Sequence, residues 1–278
     1  MSARKKRITP WKILIVVLIL IAEFWTLFPI FWTLLTSLKT KAEIFTLTPT
    51  IFFTPTLKNY INLFTELSFG KWMLNSFILA SVSATLATFT GTMAGYAFGR
   101  FKFKGNTSLA NFILSLRILP PVASAVPIFI LFRYLNLLDT HIALILVYTA
   151  FNLPLAIWMM MGFFSELPKE FEEAALIDGC SRLQAFLHVV FPLMSSGVIA
   201  TFIICFMFAW NELLYAVFLA GGNTYTVTVA MTRFVTIKRV DWGGLMAAGI
   251  TSVIPIFAIA FAVQRYLVRG LTFGVIKA

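Results

Sequence analysis

Few residues of this 278-residue chain have types and spacings that support chemistry, and those few point away from catalysis. The two histidines, His141 and His188, and the two cysteines, Cys180 and Cys205, share no ligand spacing, so neither a metal site nor a disulfide framework is expected. The loops hold no paired His/Asp or acidic metal cluster of the kind a membrane enzyme needs. No G-x-x-x-x-G-K-[ST] run is present to cradle nucleotide phosphates, so neither a bound ATP nor any other cofactor is expected. Charge is concentrated instead on Glu166, Glu170, Glu172, Glu173 and Asp178, within ELPKEFEEAALIDGCSRLQAFLHVVFPL at 166–193. In a chain that is 60% hydrophobic this is a polar island. Each charge placed at the centre of a bilayer costs about 3 kcal/mol or more. The segment must therefore stand outside lipid, and its ordered pattern fits a docking surface.

The elements that position this island are apolar. A mean hydropathy of +0.91 and 12% charged residues define a polytopic membrane protein, and residues 1–278 are expected to form one domain. A net charge of +11 would raise nucleic-acid binding in a soluble chain, but no basic helix or aromatic-basic platform lies outside the apolar runs. The excess reads as positive-inside signal and attraction to anionic lipid. Six apolar segments follow, at about 13–35, 72–98, 108–132, 141–164, 194–219 and 245–267, each long enough to cross a hydrocarbon layer of roughly 30 Å. Trp25, Trp32, Trp72, Trp158, Trp210 and Trp242 lie in or beside them, several at expected interface level. No internal repeat or low-complexity tract is evident.

Orientation follows from lysine and arginine. Arg4, Lys5, Lys6, Arg7 and Lys12 place the N-terminus in the cytoplasm. The apolar run after them is longer than a signal h-region and no A-x-A-like site follows, so it reads as an uncleaved first helix. Loop 99–107, with Arg100, Lys102 and Lys104, falls inside, as does the tail with Arg265, Arg269 and Lys277. The stretch at about 36–71 falls outside; it dilutes Lys39, Lys41, Lys58 and Lys71, contains Pro49 and Pro55, and reads as a short extracytoplasmic cap. Loop 220–244 also falls outside, and its Arg233, Lys238 and Arg239 weaken the argument without reversing it. Both termini and segment 165–193 are thus expected in the cytoplasm of a multi-pass inner-membrane protein.

Within that segment, Pro168 is placed like a first-turn helix proline, and Glu170, Glu172 and Glu173 follow where a helix dipole favours anions. Ala174, Ala175, Leu176 and Ile177 continue a helix-forming run, and Gly179 is a natural left-handed stop. Ser181-Arg182-Leu183-Gln184 then forms a capping box for a second helix, on which Leu183, Phe186, Leu187 and Val190 share a face. Pro192 restarts the chain toward the fifth apolar segment. Two short helices around a glycine turn are either an amphipathic hairpin on the membrane surface or a knob offered to a partner.

Glu173-Ala174-Ala175, Asp178-Gly179 and Phe191-Pro192-Leu193 resemble the EAA loop of the membrane-spanning subunits of ABC importers. The wider chain is similar to the sugar-importer, maltose-permease-like branch, through TSLKT near Ser37, NSF at Asn75–Phe77, GYAFGRFKFKG at Gly95–Gly105, Pro127-Ile128-Phe129 and AWNELL at Ala209–Leu214. Two positions depart from the pattern: Cys180, where alanine is commoner, and Ser195-Ser196, where a second proline is frequent. The resemblance implies an all-α polytopic protein of six transmembrane helices with a cytoplasmic two-helix coupling loop at about 165–193. It implies ATPase-coupling roles for Glu173, Ala174, Ala175, Asp178, Gly179, Phe186 and Pro192. The expected partners are a second homologous permease subunit in a heterodimer, two cytoplasmic ATP-binding subunits and an extracytoplasmic solute-binding protein. The chain would then be no enzyme, and would form half of the path for a sugar, polyol or sugar derivative. The alternative is an ion-coupled secondary carrier of a small polar solute, which would use buried carboxylates such as Glu23 and Glu212.

Charged and polar residues within the apolar segments are the candidates for a path. Glu23 reads first as a helix–helix contact. Arg117, before Pro120-Pro121, either lines the path beside a broken helix or bonds carbonyls that the break frees. Asn211 and Glu212 either bond sugar hydroxyls or tie the fifth helix to the partner subunit. Tyr148, Asn152 and Tyr215 complete the candidate substrate set, and Trp158 supplies a further aromatic face.

Overall fold

The structure, a computed structural model, describes residues 10–48, 50–236 and 240–272. Arg4, Lys5, Lys6, Arg7, Pro49, Lys238, Arg239 and Lys277 of the sequence argument lie outside them, as do the side chains of Arg265 and Arg269. Almost everything described is helix. In order these are α1 (Pro10–Ser37), α2 (Lys41–Ile44), α3 (Lys58–Thr65), α4 (Phe69–Arg100), α5 (Asn106–Ser115), α6 (Pro121–Tyr134), α7 (His141–Glu166), α8 (Glu170–Ile177) and α9 (Arg182–Ala185). A π-helical turn (Phe186–Val190) leads to α10 (Phe191–Leu193), then α11 (Ser195–Trp210), α12 (Leu214–Leu219), α13 (Val227–Thr232) and α14 (Trp242–Thr272). Four helices, at Trp11–Ser37, Phe69–Arg100, His141–Glu166 and Trp242–Ala262, are long and apolar enough to cross a membrane; a fifth arises if the bent pair Arg182–Leu193 and Ser195–Trp210 is one span. The chain is a multi-pass membrane protein.

It divides into two compact units, residues up to Ser68 with Phe234–Ser252, and Phe69–Arg233 with the remainder of α14. In the smaller unit the end of α1 is tied to α3. Ser37 Oγ and Tyr60 Oη lie 2.7 Å apart, and Asn59 Nδ2 donates to the carbonyls of Ser37 and Lys39 at 2.8 and 3.0 Å. Thr40 and Glu43 form a capping box around α2.

The larger unit is built on the packing of α4 against α7. Gly91, Gly95 and Gly99 recur every four residues on one face of α4, and the backbone of α7 lies against that face. A Cβ on Gly95 would stand 2.6 Å from Met160 Cβ, and one on Gly91 2.6 Å from Ala156 Cβ. Small residues at this spacing let helix backbones approach, which is how helices associate where lipid removes the hydrophobic drive between them. Around the seam pack Leu79, Ala84, Leu144, Tyr148, Phe206 and Trp210. Trp72 and Trp210 are both buried in this unit.

Two apolar segments are not continuous helices. The segment at 108–132 breaks between α5 and α6 at Pro120-Pro121, as those prolines predict. The segment at 194–219 also breaks, at Asn211–Leu213, where one helix was expected. The Glu212 carboxylate accepts the amides of Tyr215 (2.9 Å) and Ala216 (3.1 Å) and so starts α12 as a separate helix. At the other end of the α4–α7 pair, the loop before α7 is fastened to the loop before α13. Asp139 accepts the amides of Gly221 (2.9 Å) and Thr224 (3.0 Å) and the Thr224 hydroxyl (2.8 Å). Asn75 Nδ2 donates to the carbonyls of Asn223 and Tyr225, and its Oδ1 lies 3.1 Å from His141 Nε2, which makes His141 a structural tie between α4 and the start of α7.

Replacing Gly95 by Leu forces α4 from α7 and costs about 1–3 kcal/mol or more. Gly162→Ala, where a Cβ meets nothing within 4 Å, leaves stability level or slightly raised. Thermal unfolding of the two variants in detergent checks the contrast. Burial is the largest single influence on the Asp139 carboxyl and pushes its pKa up, but the bonds from Thr224, Asn223 and Gly221 together outweigh it and hold the pKa below its ordinary 3.8. Its stabilising contribution is then complete above that ordinary value and lost as the pH falls through the lowered folded one. Asp139→Asn should cost about 2 kcal/mol at neutral pH, with the melting curves of variant and wild type converging in acid.

Candidate functional site

Segment 166–193 folds into an elbow. α8 begins at Glu170 behind Lys169, whose carbonyl accepts the amides of Glu172 and Glu173 at 3.0 Å each. Pro168 thus precedes the helix instead of occupying its first turn, because the chain enters from α7 in extended form through Leu167 (φ −72°, ψ 125°). α8 closes with a Schellman motif. Cys180 N–H donates to the Ala175 carbonyl (3.0 Å) and Gly179 N–H to that of Leu176 (3.1 Å), while Gly179 takes φ +89°. The Ser181–Gln184 capping box is present, with Ser181 N–H donating to Gln184 Oε1 at 2.8 Å and Gln184 N–H to Ser181 Oγ at 3.3 Å. His188 is structural too, its Nδ1 3.1 Å from the Gln184 carbonyl oxygen.

The π turn changes the face that follows. Val190, expected beside Leu183, Phe186 and Leu187, is fully buried against Met160, Phe164 and Leu167. Phe191 replaces it and, with those three, lines an apolar groove of about 700 Å³ that Thr85, Phe89 and Tyr96 of α4 share. The Phe191 amide reaches back to the Phe186 carbonyl, five residues away, so one residue is added to the turn and the pattern slips by one. Pro192, which has no N–H to continue a ladder, comes next. The arm Arg182–Leu193 then meets Ser195–Trp210 at 72°.

Tyr96 and Arg100 of α4 hold the elbow to the bundle. Tyr96 Oη donates to Glu172 Oε1 at 2.5 Å, and Arg100 Nε stands 3.4 Å from Glu172 Oε2, with the two charged side chains 4% and 13% exposed. The same guanidinium donates from Nη1 to the Leu167 carbonyl (2.7 Å) and from Nη2 to that of Pro168 (3.3 Å). Phe186 packs on Tyr96, with ring centroids 4.7 Å apart, and on Phe164 at 6.3 Å. Of the residues expected here, Ala175 is buried, Phe186 is half-buried as the wedge, and Glu173, Ala174, Asp178, Gly179 and Pro192 are exposed. Glu172, Tyr96 and Arg100 were not among them. The available signal was the one-turn spacing of Tyr96 and Arg100 at the end of a long apolar run. The free surface carries large apolar groups: Ile177 is 86% exposed and Leu183 64%.

The candidate path residues are dispersed among ties between helices. Asn152 Nδ2 donates to the Cys205 carbonyl (3.2 Å), joining α7 to α11. Tyr215 Oη lies 2.7 Å from Ser124 Oγ, joining α12 to α6. Glu212 caps α12, and Tyr148 Oη lies beside its carboxylate, short of hydrogen-bond geometry. Asn211 is exposed and bonds back to Met207. Arg117 Nη1 donates to the Phe151 carbonyl (3.3 Å), with its guanidinium 4.4 Å from the Phe208 ring centroid and 5.0 Å from that of Phe151. Phe151 also packs on Tyr215 at 6.1 Å, so Arg117 and Tyr215 share a neighbour. Glu23 lies on the exposed surface of α1, and Trp158 is exposed.

The fold is that of a helical membrane bundle with an elbow tied to it, and the sequence relatives give the family. Residues 87–273 match the binding-protein-dependent transport system inner membrane component family. The chain is 38% identical over 257 residues to the probable ABC transporter permease protein y4oR of Sinorhizobium fredii, covering 92% of each chain. It is 36% identical to the sulfoquinovosyl glycerol transport system permease protein SmoH of Agrobacterium fabrum, over 90% of this chain and 89% of that one. It is 32% identical to the trehalose/maltose transport system permease protein MalG of Thermococcus litoralis, over 96% and 97%. A bacterial ABC transporter involved in import of the acidic polysaccharide alginate has the same fold, with a TM-score of 0.76 at 21% identity, covering 96% of this chain and 99% of that one. The chain belongs to the binding-protein-dependent ABC permease family. Membership makes it a transporter subunit, implies work with other permease, ATPase and binding-protein subunits, and sets aside the ion-coupled carrier.

Glu172→Ala leaves Arg100 buried without its carboxylate and should cost about 3 kcal/mol. Hydrogen exchange should rise across 168–186 in that variant, while protection of the α4–α7 seam persists.

Proposed function

We propose that the chain is the membrane subunit of an ATP-driven, binding-protein-dependent carbohydrate importer, with residues 1–278 acting as one permease domain. The carbohydrate reading rests on relatives whose names specify trehalose/maltose, trehalose, sulfoquinovosyl glycerol and diacetylchitobiose transport. Six crossings are proposed, with the pairs α5–α6 and α11–α12 each serving as one broken span. Both termini and the elbow then lie in the cytoplasm. The subunit pairs with a homologous permease, and the pair works with two ATP-binding subunits and an extracytoplasmic binding protein.

In this reading the elbow is the coupling loop. The observation that carries it is a tip with exposed Ile177, Leu183 and acidic groups on a base that Glu172, Tyr96 and Arg100 fix to α4. A partner that moves the tip pulls on the bundle through these contacts. Glu173, Ala174, Asp178 and Gly179 present or shape the tip, while Phe186 and Pro192 set its angle to α11. Arg117, Tyr148, Asn152, Asn211, Glu212 and Tyr215 remain the proposed residues of the path; Asn152 Oδ1 and Tyr148 Oη are buried polar atoms there with no hydrogen-bond partner among the described residues.

Gly179→Val places a β-branched residue at φ +89° and deforms the turn. In the assembled transporter, that variant and Glu173→Lys should reach the membrane at wild-type levels and lose binding-protein-stimulated ATPase activity and carbohydrate uptake. Normal uptake by either variant would refute the coupling role.

A further inference from the structure

The smaller unit contains a cavity of its own. It measures about 380 Å³ and is lined by Trp32, Lys39, Glu43, Thr50 and Trp242, among others. Lys39 is only 3% exposed, yet it lines the cavity. Its ammonium lies 5.0 Å from the Trp32 ring centroid and 5.2 Å from that of Phe53, and among the described residues it has no hydrogen-bond or ion-pair partner. The neighbouring Glu43 carboxylate is engaged by the amide and hydroxyl of Thr40 at 2.9 and 2.7 Å. Thr50 Oγ1, which also lines the cavity, is buried without a hydrogen-bond partner among the described residues. The other hydroxyls are spent on backbone, Thr36 on the Trp32 carbonyl and Thr46 on those of Glu43 and Thr48.

The Glu43 carboxylate acts on Lys39 only from beyond ion-pair distance, so the cation, whose nearest contacts are ring faces, is incompletely compensated. An acidic oxygen entering the cavity would form a charge-assisted bond to it. A hydroxyl would satisfy Thr50, and Trp32 and Trp242 give the wall aromatic surface for the C–H groups of a sugar ring. Ligand sites of this size combine apolar walls with a few directed polar groups. We infer that this cavity binds a saccharide bearing an acidic group. The inference rests on the carbohydrate-importer reading and adds a subsite in the unit formed by α1–α3 and the start of α14.

The test uses the assembled transporter in phosphatidylcholine nanodiscs, without binding protein, titrated calorimetrically with a uronic-acid disaccharide and with maltose. The acidic disaccharide should bind at least tenfold more tightly than maltose. Lys39→Met should lose at least tenfold of that affinity, and Thr50→Val a few-fold with an unchanged melting temperature. Equal binding of the two sugars, or affinities unchanged in both variants, overturns the inference. So does a site that takes no sugar and responds, through Lys39, only to phosphatidylglycerol in the disc, which would mark a lipid headgroup site. Carbohydrate uptake by the wild type in proteoliposomes separates the two readings. Uptake without Lys39-dependent binding removes the subsite alone, whereas failure to take up any carbohydrate removes the importer reading itself.

Discussion

Two helices in lipid gain little from hydrophobic attraction, because the tails around them are as apolar as their own side chains. What holds α4 to α7 is direct contact, and the three glycines of α4 make that contact possible by letting a backbone lie where a side chain would stand. The larger unit depends on this approach. It sets α4 and the end of α7 side by side, and so lets Arg100 reach the carbonyls of Leu167 and Pro168 while it faces Glu172. Separate the seam by the width of one methyl group and those bonds lengthen together.

Polar groups in this bundle serve mostly as fasteners. Asn75, Asp139, Asn152 and Glu212 each bind backbone groups of another segment or begin a helix, and each stands where an unpaired carbonyl or amide would be expensive. A polar residue in an apolar run has two readings, cargo contact and structural tie, and here the ties are occupied. At Asn211–Leu213 such a tie also meets a helix break, where the Glu212 carboxylate accepts the first amides of α12.

Hydropathy made the helices legible: four of the six apolar segments reappear as continuous helices and two as interrupted ones, because length and lack of charge are properties of the run itself. The capping box at Ser181 and the stop at Gly179 were legible for the same reason, being local. The pairing of Glu172 with Tyr96 was not, for it joins residues 76 positions apart and depends on the α4–α7 seam. The G-x-x-x-G-x-x-x-G spacing from Gly91 to Gly99 carried a signal for that seam that the reading of apolar runs passed over. The break at Asn211–Leu213 was hidden within a run that stays apolar on both sides. The π turn escaped because a 3.6-residue periodicity assumes a constant pitch, and one added residue moved the groove-lining position from Val190 to Phe191.

The bend at Met194 has a mechanical consequence. The arm Arg182–Leu193 lies at 72° to α11, so a displacement along the axis of α11 arrives at the arm mainly as a sideways sweep and only in small part as a thrust along it. The joint is therefore a change of direction as well as a connection, and would turn an axial stroke of α11 into a lateral stroke of the arm. It works equally in reverse: a lateral pull on the arm draws α11 along its own length.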